Sequence, residues 1–232
     1  MTKHNRHKGF TLVEVLVAIT IFAIAISTLF ASFNIVISNI DPINNSLDNY
    51  EMAQNTMDRI QKDLISLCLT HDPIYIPPDM EEYDDPDRFR FVSQTVSIDG
   101  NPFSQLRFAT FDHLVFNHDQ KSSIGIIKYY LEPSDNGTIV LKRSDIGSVF
   151  FNEAKEDNTR NDPILCEKVK EFKLIFIDQD GNSHEDWNSD SSNFGFGTPF
   201  SIMIKLVVGD LERADIFATT IVLPAYREKN ES

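Results

Sequence analysis

Charge is nearly missing from one long stretch of this sequence. Between positions 10 and 40 the only charged side chain is Glu14, which excludes a solvated surface helix there. Glycine-rich phosphate loops are also missing, as are G-x-S-x-G and H-E-x-x-H, so nucleotide-binding, serine-hydrolase and zinc-protease chemistry find no motif. His113, His118 and His184 stand without a nucleophile motif around them, and the chain reads as a non-enzyme. Cysteine is scarce: there are only Cys68 and Cys166, with no C-x-x-C and no zinc-type spacing. Basic residues are outnumbered, 21 Lys and Arg against 35 Asp and Glu, for a formal charge of −14. A surface of that sign repels phosphates, which argues against nucleic acid and anionic lipid as partners.

What is present begins with a short basic leader, in which Lys3, Arg6 and Lys8 precede Gly9 without an acid among them. The apolar run follows at once. As a helix rising about 1.5 Å per residue, it is long enough to cross the roughly 30 Å hydrocarbon core of a bilayer. Basic residues beside such a run predict cytoplasm on the N-terminal side and place the rest of the chain beyond the membrane. A lone carboxylate at mid-bilayer costs about 2.5–3.5 kcal/mol, so Glu14 must sit shallow or find a partner. A general secretory signal has an apolar core of only about 7–15 residues before a small-residue cleavage site. Ala23-Ile24-Ala25 imitates such a site, but the length of the run and the carboxylate at its start speak against that reading.

Lys8-Gly9 followed by Phe10-Thr11-Leu12-Val13-Glu14 resembles the class III signal of type IV pilins and type II secretion pseudopilins. The resemblance implies cleavage between Gly9 and Phe10 by a membrane prepilin peptidase, and methylation of the new amino terminus at Phe10. It also implies that Glu14 pairs with the terminal amine of a neighbouring subunit and so sets register in a filament. Both steps are physically reasonable. Glycine lets a protease approach the backbone without a side chain in the way. A Glu facing an ammonium in an apolar bundle replaces an unpaired buried charge with a paired one. Loss of the leader removes the charges of Lys3, Arg6 and Lys8 and takes the formal charge from −14 to −17.

The chain divides into a leader at 1–9, a membrane or filament-core helix at 10–40, an amphipathic continuation at 41–71 and a β-rich head at 72–232. Pro42 either kinks the helix or starts a fresh segment. Beyond it Leu47, Tyr50, Met57, Ile60, Leu64 and Leu67 recur at helical spacing, with Asp48, Glu51, Asp58, Lys62 and Asp63 elsewhere on the cylinder. The helix is expected to end near Leu69, before His71-Asp72-Pro73. Residues 77–87 and 152–163 read as polar loops. Strand-like runs occupy 89–92, 105–109, 125–131, 138–143, 169–177, 201–208 and 216–223, with a hairpin turn at Ser134-Asp135-Asn136-Gly137. Helix first and strands after, with no βαβ alternation, predicts an α+β architecture with antiparallel sheet. The Asn44 and Asn136 glycosylation sequons are chance matches under a prokaryotic export signal.

Looser motifs extend the resemblance to the minor pseudopilin J family of type II secretion. They are Asp58-Arg59-Ile60-Gln61-Lys62-Asp63-Leu64, then Leu106-Arg107-Phe108, Lys128-Tyr129-Tyr130-Leu131 and Leu141-Lys142-Arg143. Phe176-Ile177-Asp178-Gln179-Asp180-Gly181, Trp187, Thr198-Pro199 and Arg213 complete them. The loops at 79–87 and 144–163 look enlarged against that pattern, and the strand entry at Phe200 to Met203 is more hydrophobic than expected. The family resemblance implies a pilin-like fold, a long helix packed on antiparallel sheet. It also implies a structural role at the tip of a short periplasmic filament, anchored by a single pass in the inner membrane. The implied partners are minor pseudopilins I and K, with H as a further candidate, and the major pseudopilin. The outer-membrane secretin and exoproteins are candidate contacts. A minor type IV pilin for adhesion, DNA uptake or motility, and a membrane-tethered binding module, remain alternatives.

Two weaker candidates complete the reading. In an oxidising compartment Cys68 and Cys166 are a candidate disulfide closing a loop of about 100 residues, against the simpler view that Cys68 is a small apolar residue on a helix face. No cofactor is expected. The cluster around Asp178 and Asp180 is a weak calcium candidate, against an acidic β-turn, because the glycine comes too early and no Glu closes an EF-hand loop.

Overall fold

The computed structural model describes residues 11–71, 74–77, 86–113, 123–147, 162–209 and 214–229, and only the backbone of 34–48. Gly9, Phe10, Arg213, the acidic run at 79–85 and most of the polar loop at 152–163 lie outside the described residues, as do the side chains of Leu47 and Asp48. The chain forms two compact units, residues 1–47 and residues 48–232. Helix α1 (Leu12–Ile65) includes Pro42, so no fresh segment starts there.

In the second unit, helical spacing buries Ala53, Thr56, Ile60, Asp63 and Leu64. That line differs from the expected one. Tyr50 is 51% exposed, whereas Asp63, expected on the solvent side, is fully buried. The helix ends at Ile65, short of the expected Leu69. Leu67 and Cys68 leave it as strand β1 (Leu67–Cys68), pairing with Thr110 and Ala109. The exit is held by the Thr110 hydroxyl, 2.9 Å from Asp63 O and 3.0 Å from Ser66 O, and by Phe111 N donating to Ser66 O.

Among the described residues ten further strands follow, all paired antiparallel: β2 (Val92–Ile98), β3 (Asn101–Thr110), β4 (Gly125–Pro133), β5 (Ile139–Gly147), β6 (Ile164–Cys166), β7 (Val169–Ile177), β8 (Ser183–His184), β9 (Trp187–Asn188), β10 (Ser201–Gly209) and β11 (Ala214–Val222). The fold class is α+β, as expected. One sheet runs β6-β5-β4-β3-β2-β9, with β1 joining at β3; the other runs β11-β10-β7-β8. Among the described residues the larger apolar core draws on α1 (Ile60, Leu64), the first sheet (Leu106, Phe108, Tyr129, Leu141) and the second (Phe172, Phe176, Ile202, Leu206), beside a small cluster of Cys68, Ala109 and Ile126.

The hairpin β4–β5 turns at residues 134–137 as expected, with Gly137 at φ +74°. A second tight hairpin joins β2 to β3 through Asp99 and Gly100, at φ +51° and +81°. Two left-handed residues in a two-residue loop match the right-handed twist of the flanking strands. The expected strand at 89–92 begins only at Val92.

Candidate functional site at the start of the helix

Thr11 and Glu14 sit three residues apart across the first helical turn. Thr11 N donates to Glu14 Oε2 at 2.9 Å, and Glu14 N donates back to Thr11 Oγ1 at 3.3 Å. The Thr11 hydroxyl also donates to Oε2 at 2.9 Å. This is a reciprocal capping box, in which two backbone donors that a helix start leaves unpaired find partners. The carboxylate that looked expensive in an apolar run is thus held at the helix start. A carboxylate is also favoured there by the partial positive charge of the helix end.

Beyond this turn, Leu12–Phe33 form a 22-residue segment long and apolar enough to cross a membrane. Its large side chains are exposed in this chain: Leu16 is 60% accessible, Phe22 66% and Phe30 66%. Three of its hydroxyls bond within the helix: Thr20 donates to Val17 O, Ser27 to Ala23 O and Thr28 to Ala25 O, each at 2.8 Å. A hydroxyl bonded to its own helix needs no water, which suits an apolar surrounding.

The head contains polar clusters of another kind. Asp63, fully buried on α1, receives Arg143 Nε at 2.7 Å and Nη2 at 3.1 Å from β5, the Tyr129 hydroxyl from β4 at 2.5 Å, and Arg59 from its own helix. Arg143 Nη1 continues to Asp145 at 2.7 Å, and Asp145 meets His113 Nδ1. Burial, with Asp63 beside it, pushes the Tyr129 phenol well above its ordinary range. For Arg143 burial acts downward, but Asp63 outweighs it and the guanidinium stays charged. Gly125 faces this cluster with no room to spare, since a Cβ there would lie 2.7 Å from His113 Nδ1 and 2.9 Å from Asp145 Oδ1. Sequence reasoning missed the whole assembly. The signals were Asp63 on the helix and Arg143 in a strand, but only pairing in space reveals them as partners.

Arg227 anchors the end of the described chain. Its guanidinium donates to Phe196 O at 2.7 Å, Ser189 O at 2.6 Å and Thr70 O at 3.1 Å, and lies 3.3 Å from the Tyr75 ring centre. Asp190 lies 3.6 Å from it; burial raises that carboxyl above its usual range although Asp87 N and Tyr75 donate to it.

The calcium candidates are brought together, but around a side-chain cation. Lys229 Nζ lies 2.9 Å from Asp178 and 2.8 Å from Asp180, while Asp178 Oδ1 accepts the backbone N–H of Asp180 and Asn182. These contacts make an acidic turn closed by an ammonium. Among the described residues no group of three His, Cys, Asp or Glu side chains is placed to hold a metal ion. The cysteines are both buried and free, which corrects the disulfide expectation. Cys68 lies on β1 beside β3, whereas Cys166 lies on β6 beyond β4 and β5. At about 4.8 Å per strand step that gap exceeds the roughly 7 Å Cα separation a disulfide spans.

Residues 4–30 match the prokaryotic N-terminal methylation motif, a span that contains Gly9, Phe10, Thr11 and Glu14. The match supports a pilin-like protein, and the apolar helix fits one anchored in a membrane. No curated protein matches the chain.

Proposed function

We propose that the protein is a minor pseudopilin of the type II secretion system. In this reading it belongs to the tip complex that primes pseudopilus assembly for export across the outer membrane. The observation that carries it is the methylation motif at residues 4–30, which covers most of a 22-residue exposed apolar helical segment, Leu12–Phe33. A helix of that kind, apolar outward but for Glu14 and a few hydroxyls, is buried by lipid before assembly and by neighbouring helices after it. Glu14 is already fixed at the helix start, where a neighbour's terminal amine meets it at little conformational cost.

The finer assignment, to minor pseudopilin J, is supported by where the matching residues lie. Leu106, Phe108, Tyr129, Leu141, Arg143 and Trp187 are all buried, so these positions of the pattern belong to the head's core. In this reading the leader is cytoplasmic and the head periplasmic, and prepilin peptidase processes the chain. Minor pseudopilins I and K, H and the major pseudopilin are partners, and the secretin or an exoprotein meets the tip. The role is structural and not catalytic.

The first test is mass spectrometry of the amino terminus of protein from its native membrane. A chain starting at methylated Phe10 is expected; an intact leader or a cut near Ala25 overturns the filament reading. Deletion of the gene is then expected to stop protein export. Loss of motility, adhesion or DNA uptake with export intact assigns the chain to a type IV pilus instead.

A further inference from the structure

The face of the first sheet turned away from the apolar core carries a basic pocket. Strands β3 and β4 set Leu106, Phe108 and Tyr129 into the core, so alternation turns Gln105, Arg107 and Lys128 to the other face. There the register puts Arg107 opposite Val92 of β2 and Lys128 of β4, and Gln105 opposite Gln94. Arg90, two residues before β2, joins them in lining a cavity of about 230 Å³. Its described lining residues include three cations and two amides but no carboxylate, in a chain with 35 acidic and 21 basic residues.

Like charges directly opposite on two strands destabilise a sheet. Where this recurs, at Lys173 and Lys205, each lysine is 42% exposed and meets a glutamate at 2.7 Å, Glu185 and Glu171 respectively. Arg107 is placed differently. It is only 9% exposed, and its Nη2 donates to Arg88 O at 3.0 Å, which fixes the guanidinium within the pocket. Lys128 Nζ lies 5.8 Å from the centre of the Tyr130 ring. Arg90, Arg107 and Lys128 each have a further contact inside the chain, so an arriving anion exchanges with those contacts.

We infer that this pocket receives one carboxylate group, carried on an acidic side chain of a neighbouring polypeptide. A guanidinium presents N–H donors in a planar fork that fits a carboxylate, and an ammonium adds a point charge. Charges held partly out of water attract such a group more strongly than exposed lysines do. A pocket smaller than the roughly 300–1,000 Å³ of typical small-molecule sites holds a single group rather than a whole metabolite. The inference rests on the assembly reading above, in which the head is surrounded by other polypeptides.

The test is zero-length cross-linking with a carbodiimide, which joins a lysine amine to a touching carboxylate as an amide while the reagent takes up the water lost. The full chain in detergent is treated together with an acetylated, amidated tetraglutamate peptide, and the native membrane assembly is treated without added peptide. In detergent the peptide is expected to link to Lys128 at least tenfold more than to the exposed Lys170. In the assembly Lys128 is expected to link to an Asp or Glu of another chain. Arg90→Gln and Arg107→Gln are each expected to lower both links at least fivefold, while Lys142→Gln, on the same sheet but paired with Glu132, leaves them unchanged. Where Arg107→Gln lowers the unfolding midpoint, Arg90→Gln at the end of the pocket decides alone. Equal linking of Lys128 and Lys170 in detergent overturns the inference, as do links unchanged in R90Q. An assembly in which Lys128 links to no other chain also overturns it. Suppression of the peptide link by equimolar inorganic phosphate assigns the pocket to a free anion and overturns it too. Methylation of Phe10 is read on the same assembly. Its absence defeats the assembly reading, whereas its presence with Lys128 linked to no other chain defeats this inference alone.

Discussion

Arg143 grips Asp63 across the core with two nitrogens, Nε at 2.7 Å and Nη2 at 3.1 Å, and so ties strand β5 to the helix. Both residues are buried, which makes each charge depend on the other. Breaking such a pair from one side typically costs about 3–5 kcal/mol. Asp63→Ala and Arg143→Ala are each expected to lower head stability by that order, while Asp63→Leu with Arg143→Met recovers much of the loss. Denaturant unfolding of the single and double variants measures it; additive losses would show that the two residues act independently.

Gly125 is required by space. A methyl group there meets His113 and Asp145 at under 3 Å, so one of them must move. Gly125→Ala is expected to destabilise by about 1–3 kcal/mol, the usual range for overpacking. The shift in unfolding midpoint checks this, and an unchanged midpoint would mean that the His113–Asp145 contact yields freely.

Thr11→Ala removes one half of the capping box, for an expected loss of about 0.5–2 kcal/mol at the helix start. Faster amide exchange at Glu14 reports it. Glu14→Ala removes the other half together with the only carboxylate of the apolar run. Cleavage after Gly9 is expected to continue while co-purification with filament subunits falls, as read by terminal mass and by pull-down.

The clasp of Lys229 on Asp178 and Asp180 sets a pH dependence. Burial alone would raise the Asp178 carboxyl, but Lys229 and Asn182 hold it far below the usual range. An unfolded Asp titrates near 3.9, so the stabilisation is complete above about pH 4 and is lost as pH falls below it. Asp180 and Asp178 raise Lys229, whose contribution is complete below about pH 10 and is lost as pH rises further. The difference in Tm between wild type and Lys229→Ala is therefore expected to be flat from about pH 5 to 9 and to shrink in acid. A difference that grows in acid would contradict the assignment. Added calcium is expected to leave the wild-type Tm unchanged.

Both thiols are predicted to resist alkylation in the folded protein. Burial pushes the Cys166 thiol up to about 12 and also raises Cys68, so little reactive thiolate exists at neutral pH. Two free thiols are expected by mass after denaturation without reductant. A mass short by two hydrogens would restore the disulfide.

Much of the fold was legible because its signals are local. The apolar run, the turn at 134–137 and the alternation in β7 and β10 each depend on neighbours in sequence. Asp99-Gly100 was equally local and went unread, because the run before it (Ser93, Gln94, Thr95, Ser97) is too polar to look like a strand. Its pairing with β3 makes it one.

By itself the sequence determined the processing signal, the helix able to enter a membrane, the α+β order and most strand positions. Periodicity and side-chain chemistry within a few residues decide such things. Only the tertiary structure decided that Asp63 faces inward, that the helix yields to β1 after Ile65, and that the thiols lie strands apart. Each of these depends on residues tens of positions away, brought together because a buried charge requires a partner and a strand an edge to pair with.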